Sequence, residues 1–239
     1  MALYVDENGI LQPLGLKVIR DNMHEVIPRL RTYTDEIPGR DGQVRHETEL
    51  KSRILKMTVG RNVSMTIGDP DYWTTVRDNI AVTLDPLNGE QSLTHAHYPG
   101  RVFIGVFGPV DIPRERGYME FEVTFEMDDP YILGDTQKSL TGSGTATNAG
   151  TKAAPFTLTI QGPVTNPSVT VAGYTMAYTG TIALGSALVI DTGNMTGVLD
   201  GANALPNFNG VFPRLQPGDN IVTAATAGIT TLNWFDRWI

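Results

Sequence analysis

The sequence predicts a mainly β protein of two units, the first carrying one helix and the second an antiparallel β-sandwich. Three observations carry this expectation. Charge is divided unevenly: of 18 Lys and Arg and 26 Asp and Glu, only four of each lie beyond residue 136, so residues 1–136 hold the whole net charge of −8. Strand-like alternation is strict over residues 118–127, where Phe121, Val123, Phe125 and Met127 alternate with Glu120, Glu122, Thr124 and Glu126. Helical spacing of apolar residues is sustained in one segment only, over about residues 70–84. The charge seam predicts units at 1–136 and 137–239 with different surfaces and different roles.

In the first unit, Pro38-Gly39 suits a type II turn and Asp41-Gly42 a second reversal. Residues 37–42 (IPGRDG) therefore predict an extended loop at the tip of a hairpin, either a plain connection or an arm that reaches another subunit. Residues 43–59 read as one long strand that gathers Leu50, Ile54, Leu55, Met57 and Val59. Arg61-Asn62 reads as a turn, after which Val63, Met65 and Ile67 share one face of a returning strand. Asp69 is placed to cap a helix, Pro70 to occupy its first position and Asp71 to complement its dipole. Trp73, Val76, Ile80 and Leu84 then form one apolar stripe, and Pro86 and Asn88-Gly89 end it. Such a helix packs across an open sheet face. Residues 101–107 and 118–127 are the clearest remaining strands.

In the second unit Thr and Gly supply 30 of 103 residues. Residues 140–151 read as a linker or an edge strand with loose turns. Short strands follow at 156–160, 169–171, 175–178, 187–190, 197–199, 221–224 and 229–238, separated by turn pairs such as Gly162-Pro163 and Asn166-Pro167. The last of them is free to return to the first unit.

Composition narrows the function. Cysteine is absent, which excludes a disulfide scaffold and any thiolate metal site. The opening MALYVDENGI lacks the basic and apolar regions of a signal peptide, and no window reaches the length of a membrane span. A pI near 4.9 argues against tight non-specific DNA binding. No phosphate loop, nucleophile elbow or HExxH helix occurs, so neither an enzyme nor a cofactor is expected. His95 and His97 could share a strand face as a metal pair but lack a third ligand, and a solvated pair is the plainer reading. Glu120, Glu122 and Glu126 could be a solvated face, a metal site or the lining of a larger space. Trp234, Asp236 and Trp238 alternate on the last strand, where the indoles form either a sugar-stacking platform or a sheet or domain contact.

The order of these motifs resembles that of a known family. The IPGRDG turn precedes a capped helix that runs into LDPLNGEQSL (84–93). The strand RVFIGVF (101–107) is followed by GYMEFEVTFEMDDPYILG, whose DDPY (128–131) ends the unit. In the second half Asn148-Ala149-Gly150-Thr151 leads into PFTLTIQGPVTNPSV (155–169), then Tyr178-Thr179-Gly180, LVIDT (188–192), PRLQPGDN (213–220) and a Trp/Arg-rich end. Together they resemble the distal tail (Dit) proteins of long-tailed siphophages and prophages over nearly the whole chain. The resemblance implies a β-barrel-like N-terminal domain with one helix and a galectin-like C-terminal sandwich. It further implies a homo-hexameric ring at the tail tip between the tail tube protein and the tail-associated hub protein, with outward domains that anchor receptor-binding proteins. It places Pro38, Gly39, Arg40, Asp41 and Gly42 at a subunit interface. At 239 residues the chain has no room for the carbohydrate-binding insertions of some relatives. A ring that passes DNA needs a neutral or acidic inner wall, which makes Glu120, Glu122 and Glu126 candidates to line the channel. The expected location is the virion tail tip, after assembly in the host cytoplasm. A carbohydrate-binding module, a cell-wall hydrolase and a tail tube protein are the competing readings.

Overall fold

The computed structural model describes residues 2–22, 27–114, 117–225 and 229–239. The chain divides into two units, one reaching to Ile132 and including Ile239, the other spanning Leu133–Trp238. The first unit contains β1 (Ala2–Val5), β2 (Ile10–Gln12), β3 (Leu16–Asp21), β4 (Leu30–Asp35), β5 (Val44–Leu50) and β6 (Arg53–Val63). After helix α1 (Trp73–Thr83) come β7 (Gln91–His95), β8 (Arg101–Phe107) and β9 (Gly117–Met127).

Seven of these strands form a closed circuit in the order β8-β7-β1-β2-β3-β6-β9, with β9 returning to β8. The barrel-like expectation is therefore met. All its pairings are antiparallel except β1 with β7. The long ladder runs from Arg53↔Met127 to Val63↔Gly117, whereas closure rests on Val106↔Glu126 and Phe107↔Phe125 alone. Two glycines allow that closure. A Cβ on Gly105 would lie 2.3 Å from the Glu126 carbonyl oxygen, and one on Gly108 would lie 2.2 Å from the Thr124 hydroxyl. Inside, Leu55, Met57 and Val59 of β6 meet Phe121, Val123 and Phe125 of β9, with Phe103 and Phe107 of β8, all buried. The period-two pattern of β9 puts its apolar set inward and its glutamates outward.

Three expectations from the sequence change here. Residues 43–59 form two strands, broken at Lys51-Ser52, because β5 pairs with β4 as a separate ribbon while β6 enters the barrel. Arg61-Asn62 is strand, not turn. The ladder with β9 continues to Val63, and Arg61 bonds the Leu14 carbonyl at 2.8 Å and pairs with Asp71. No strand returns over 63–67, and Ile67 is 84 % exposed. Helix α1 is real but begins at Trp73. Asp69 closes a turn instead of capping it, accepting from the Tyr72 amide with its carbonyl and from the Asp71 amide with its side chain. Val76 and Ile80 face the core, and the Trp73 indole donates to the Pro113 carbonyl at 3.2 Å.

β10 (Ile132–Gly134) spans the division between the units. The second unit contains β11 (Lys138–Thr141), β12 (Gly144–Asn148), β13 (Phe156–Gln161), β14 (Val164–Thr165), β15 (Ser168–Val171), β16 (Tyr174–Tyr178) and β17 (Thr181–Ile182). It continues with β18 (Ala187–Asp191), β19 (Thr196–Leu199), β20 (Ala202–Asn203), β21 (Phe208–Gly210), β22 (Gly218–Ala224), β23 (Ile229–Trp234) and β24 (Arg237–Trp238). A six-stranded sheet, β11-β23-β13-β18-β19-β20, and a five-stranded sheet, β12-β22-β15-β16-β21, share one core. Phe156, Leu158, Ile160, Ile190, Leu232 and Trp234 come from the first, and Val169, Val171, Met176, Tyr178 and Val222 from the second. The expected sandwich is thus observed, and residues 140–151 supply an edge strand to each sheet through β11 and β12. The expected single last strand is two, because the chain breaks at Phe235-Asp236.

Candidate assembly interface

The IPGRDG turn lies at the tip of the β4–β5 ribbon, which forms a two-stranded sheet of its own. Register runs from Leu30↔Leu50 to Asp35↔Val44, with a bulge between Tyr33 and Thr34. The Arg40 amide donates to the Ile37 carbonyl at 3.1 Å and Gly39 has φ 83°, the geometry of a type II turn. Gly42 also has positive φ, 84°. Side-chain pairs stiffen the ribbon: Tyr33 bridges Arg31 and Glu49 through its hydroxyl, His46 meets Asp35 at 2.8 Å, and Gln43 donates to Glu36 at 3.0 Å. Every residue of β4 is exposed, Leu30 at 52 % and Tyr33 at 44 %, and Ile37 at the tip is 47 % exposed. A lone hairpin in water is marginally stable at best, and this one leaves Leu30, Tyr33 and Ile37 exposed.

Glu120, Glu122 and Glu126 all face outward on β9. Glu122 pairs with Lys56 at 2.8 Å and Glu126 accepts from the Ser52 hydroxyl at 2.9 Å, both across the β6 ladder. Glu120 stands opposite Gly60, over which the Tyr118 ring lies. The face is acidic overall, with one glutamate locally neutralised.

His95 and His97 do not share a strand face. His95 ends β7 and is buried, whereas His97 lies beyond the strand and is exposed. The His97 amide donates to His95 Nδ1 at 3.1 Å, which leaves the proton of a neutral ring on Nε2, 4.0 Å from the Asp21 carboxylate. Tyr98 packs edge-on to Phe103 beside them, and burial pushes its hydroxyl above the ordinary range. No group of three metal-ligating side chains occurs among the described residues.

Trp234 is 5 % exposed inside the sandwich core and Trp238 is half-buried, so they form no common platform. Sugar stacking on Trp234 is corrected by its inward direction on β23, shared with Leu232. Asp236 between them is also buried. It meets Lys138 Nζ at 2.5 Å and accepts from the Ala149 amide at 3.1 Å.

A concave surface lies between the end of α1 and residues 109–112, with a volume of about 490 Å³. Ile80, Leu84, Pro109, Val110 and Ile112 form its apolar lining. Its polar members are Arg77, Asp85 and Asp111. Arg77 is engaged with Asp78 at 2.7 Å, and one Asp85 oxygen accepts from the Leu87 amide. The groove therefore presents uncompensated negative charge beside an apolar floor.

Comparison with known proteins bears on both units. The profile of the phage tail protein RIFT-related domain matches residues 11–127, and that of the siphovirus-type tail component C-terminal domain matches residues 148–238. The chain belongs to the siphophage distal tail (Dit) family. Among solved structures it is similar to the Dit protein of phage SPP1, described as a paradigm of the hub adsorption apparatus in phages infecting Gram-positive bacteria. That match has a TM-score of 0.71 at 13% identity and covers 94% of each chain. The activated, calcium-bound baseplate of phage P2 also matches, with a TM-score of 0.44 at 8% identity over 91% of this chain and 90% of that one. No curated protein sequence matches. As a Dit family member the chain is a structural component of the phage tail and hence of the virion. No helix among its described residues is long and apolar enough to cross a membrane.

Proposed function

We propose that this Dit protein forms a homo-hexameric ring at the tail tip. The ring would join the tail tube protein to the tail-associated hub protein and leave a central channel for DNA. The second unit, a galectin-like sandwich in this reading, would face outward and anchor receptor-binding proteins. The observation that carries the proposal is the pairing of two Dit-type units in the family's order with an exposed ribbon on the first. A ribbon on one copy and a different covering surface on the next make a heterologous contact, which closes into a ring when the rotation closes. Pro38, Gly39, Arg40, Asp41 and Gly42 would form the subunit contact at the ribbon tip. Glu120, Glu122 and Glu126 would line the channel, where carboxylates repel the DNA phosphates and prevent arrest. Assembly would take place in the host cytoplasm.

Mass photometry of the purified full-length chain tests the stoichiometry. We expect a population at six copies of the 26.0 kDa chain, or at a stacked pair of such rings. A ladder of open-ended filaments would favour a tube protein instead, and a monomer at all concentrations would refute the ring.

A further inference from the structure

We propose that His95 is an acid-sensitive latch at one end of the barrel: its neutral ring holds the turn between β7 and β8, and protonation releases the start of that turn. The inference concerns a single chain and does not depend on the ring reading.

His95 is the last residue of β7 and stands opposite Val5 in the parallel pair of β1 with β7. Its side chain is buried although Ala96 and His97 are exposed. Some bonds around the turn are indifferent to charge. The Ala96 amide donates to the Val5 carbonyl at 2.9 Å, the Tyr98 amide to the His95 carbonyl at 2.8 Å and the Arg101 amide to the Tyr98 carbonyl at 3.2 Å. The His97 amide differs, because it donates to His95 Nδ1 at 3.1 Å. That bond exists only while Nδ1 keeps its lone pair, since an imidazolium carries a proton on each nitrogen and accepts nothing. Protonation would set two N–H groups against each other.

The surroundings pull the charged ring the same way. Nε2 lies 4.0 Å from the Asp21 carboxylate at the end of β3, beyond hydrogen-bond reach. The two ring nitrogens point to opposite sides, so a positive ring that closes on Asp21 withdraws Nδ1 from the His97 amide. Among the described residues the other titratable or charged side chains of this cluster are His97 and Tyr98 in the turn, Arg101 opening β8 and Arg53 opening β6. The His97 and Tyr98 rings lie 5.0 and 6.0 Å from that of His95. Asp21, Arg101 and Arg53 all act on the Tyr98 hydroxyl, which groups them with it. β1 presents Val5, and the Asp6 carboxylate that follows is occupied by Asn8, Ile10 and Gln12. An imidazolium is thus the third cation beside one carboxylate in this cluster, and pairing with Asp21 does not absorb it.

NMR of the full-length, isotope-labelled chain tests the latch. At about pH 7.5 the His95 ring should be the neutral tautomer with its proton on Nε2. Between about pH 7.5 and 5.5 His95 should titrate, and the His97 amide should lose about tenfold in exchange protection in step with it, after division by the intrinsic exchange rate at each pH. The variant His95→Asn keeps an acceptor oxygen near the place of Nδ1 and cannot titrate, so its His97 protection should stay flat. Asp21→Asn removes the attraction on the charged ring and should move the release to lower pH. His97→Asn should keep the response at residue 97. A His95 ring protonated on Nδ1 at neutral pH, a His95 that does not titrate in this window, or His97 protection that ignores its titration would each overturn the latch. An equal acid response in His95→Asn would do the same.

Discussion

The two units keep a β-sheet soluble in opposite ways. The first bends one sheet into a closed circuit, so each strand has an inner apolar face and an outer face in water, and it leaves the β4–β5 ribbon uncovered. Its outer surface is charged, as the alternation of Glu120, Glu122 and Glu126 with Met119, Phe121 and Phe125 illustrates. The second stacks two sheets over a shared core, and its outer faces carry hydroxyls beside exposed apolar side chains such as Ile221. Thr170 bonds Thr175 at 2.8 Å and Thr147 bonds Asp219 at 2.6 Å across neighbouring strands. Charge must be stripped of water before a surface can dock, whereas a neutral polar face is cheaper to cover. The division of charge along the sequence thus follows a division in the kind of surface each unit offers.

The comparison can be broken at its cores first. Phe125→Ala, at a fully buried barrel position, should cost about 3–5 kcal/mol. Leu158→Ala in the sandwich should cost about 2–5 kcal/mol. If the units are distinct cooperative bodies, calorimetry should show each change lowering a different transition. A single transition moved equally by both would contradict that. Next comes closure of the circuit. Gly105→Ala places a methyl against the Glu126 backbone, with no flexible side-chain end to give way, and should cost about 1–3 kcal/mol. Amide exchange should then rise at 106–107 and 125–126. Exchange confined to other strands would show that the seam lies elsewhere.

Much of this was legible from the chain where the cause is local. The turn at Pro38-Gly39 forms as expected because proline and glycine impose its dihedrals within four residues. The pattern of β9 was readable because burial on one face repeats every second residue. Errors arose where a distant partner decides the outcome. Arg61-Asn62 looks like a turn by composition, yet Arg61 is held in a strand by Leu14 and Asp71, and Gly60 beside it is covered by Tyr118. Asp69 carries the local signal of a cap but is recruited into the turn before α1. His95 reads as solvated and is buried, because β8 packs along β7. The groove had no sequence signature, since α1 and residues 109–112 meet only through the fold.

Smaller effects sharpen the contrast between the surfaces. Asp236→Ala in the second unit removes a buried carboxylate that holds Lys138 and the Ala149 amide, and should cost about 1–2 kcal/mol. Lys56→Gln on the first unit breaks an exposed pair with Glu122 and should cost less than about 1 kcal/mol. A larger loss from Lys56→Gln than from Asp236→Ala would reverse this account of where charge matters. The smallest expected effect concerns acid. Burial alone would push the Asp191 carboxyl upward, but donation from the Asn194 amide, the Asn194 side chain and the Gly193 amide outweighs it and holds the group below its ordinary 3.8. A depressed folded value stabilises above the ordinary one and loses that contribution as pH falls through it. Asp191→Asn should therefore lower the second unit's stability slightly at neutrality and flatten its acid limb, with the variant and wild type converging below about pH 4. An unchanged acid limb would remove Asp191 from that role.

The central claim is that the two units have different places in a closed assembly. Electron microscopy of the purified full-length chain tests it most directly. The account expects a six-fold ring with the charged unit around the channel, the β9 glutamates toward the lumen and the neutral sandwich at the periphery. A ring lined by the sandwich, a basic lumen or an open filament would contradict it.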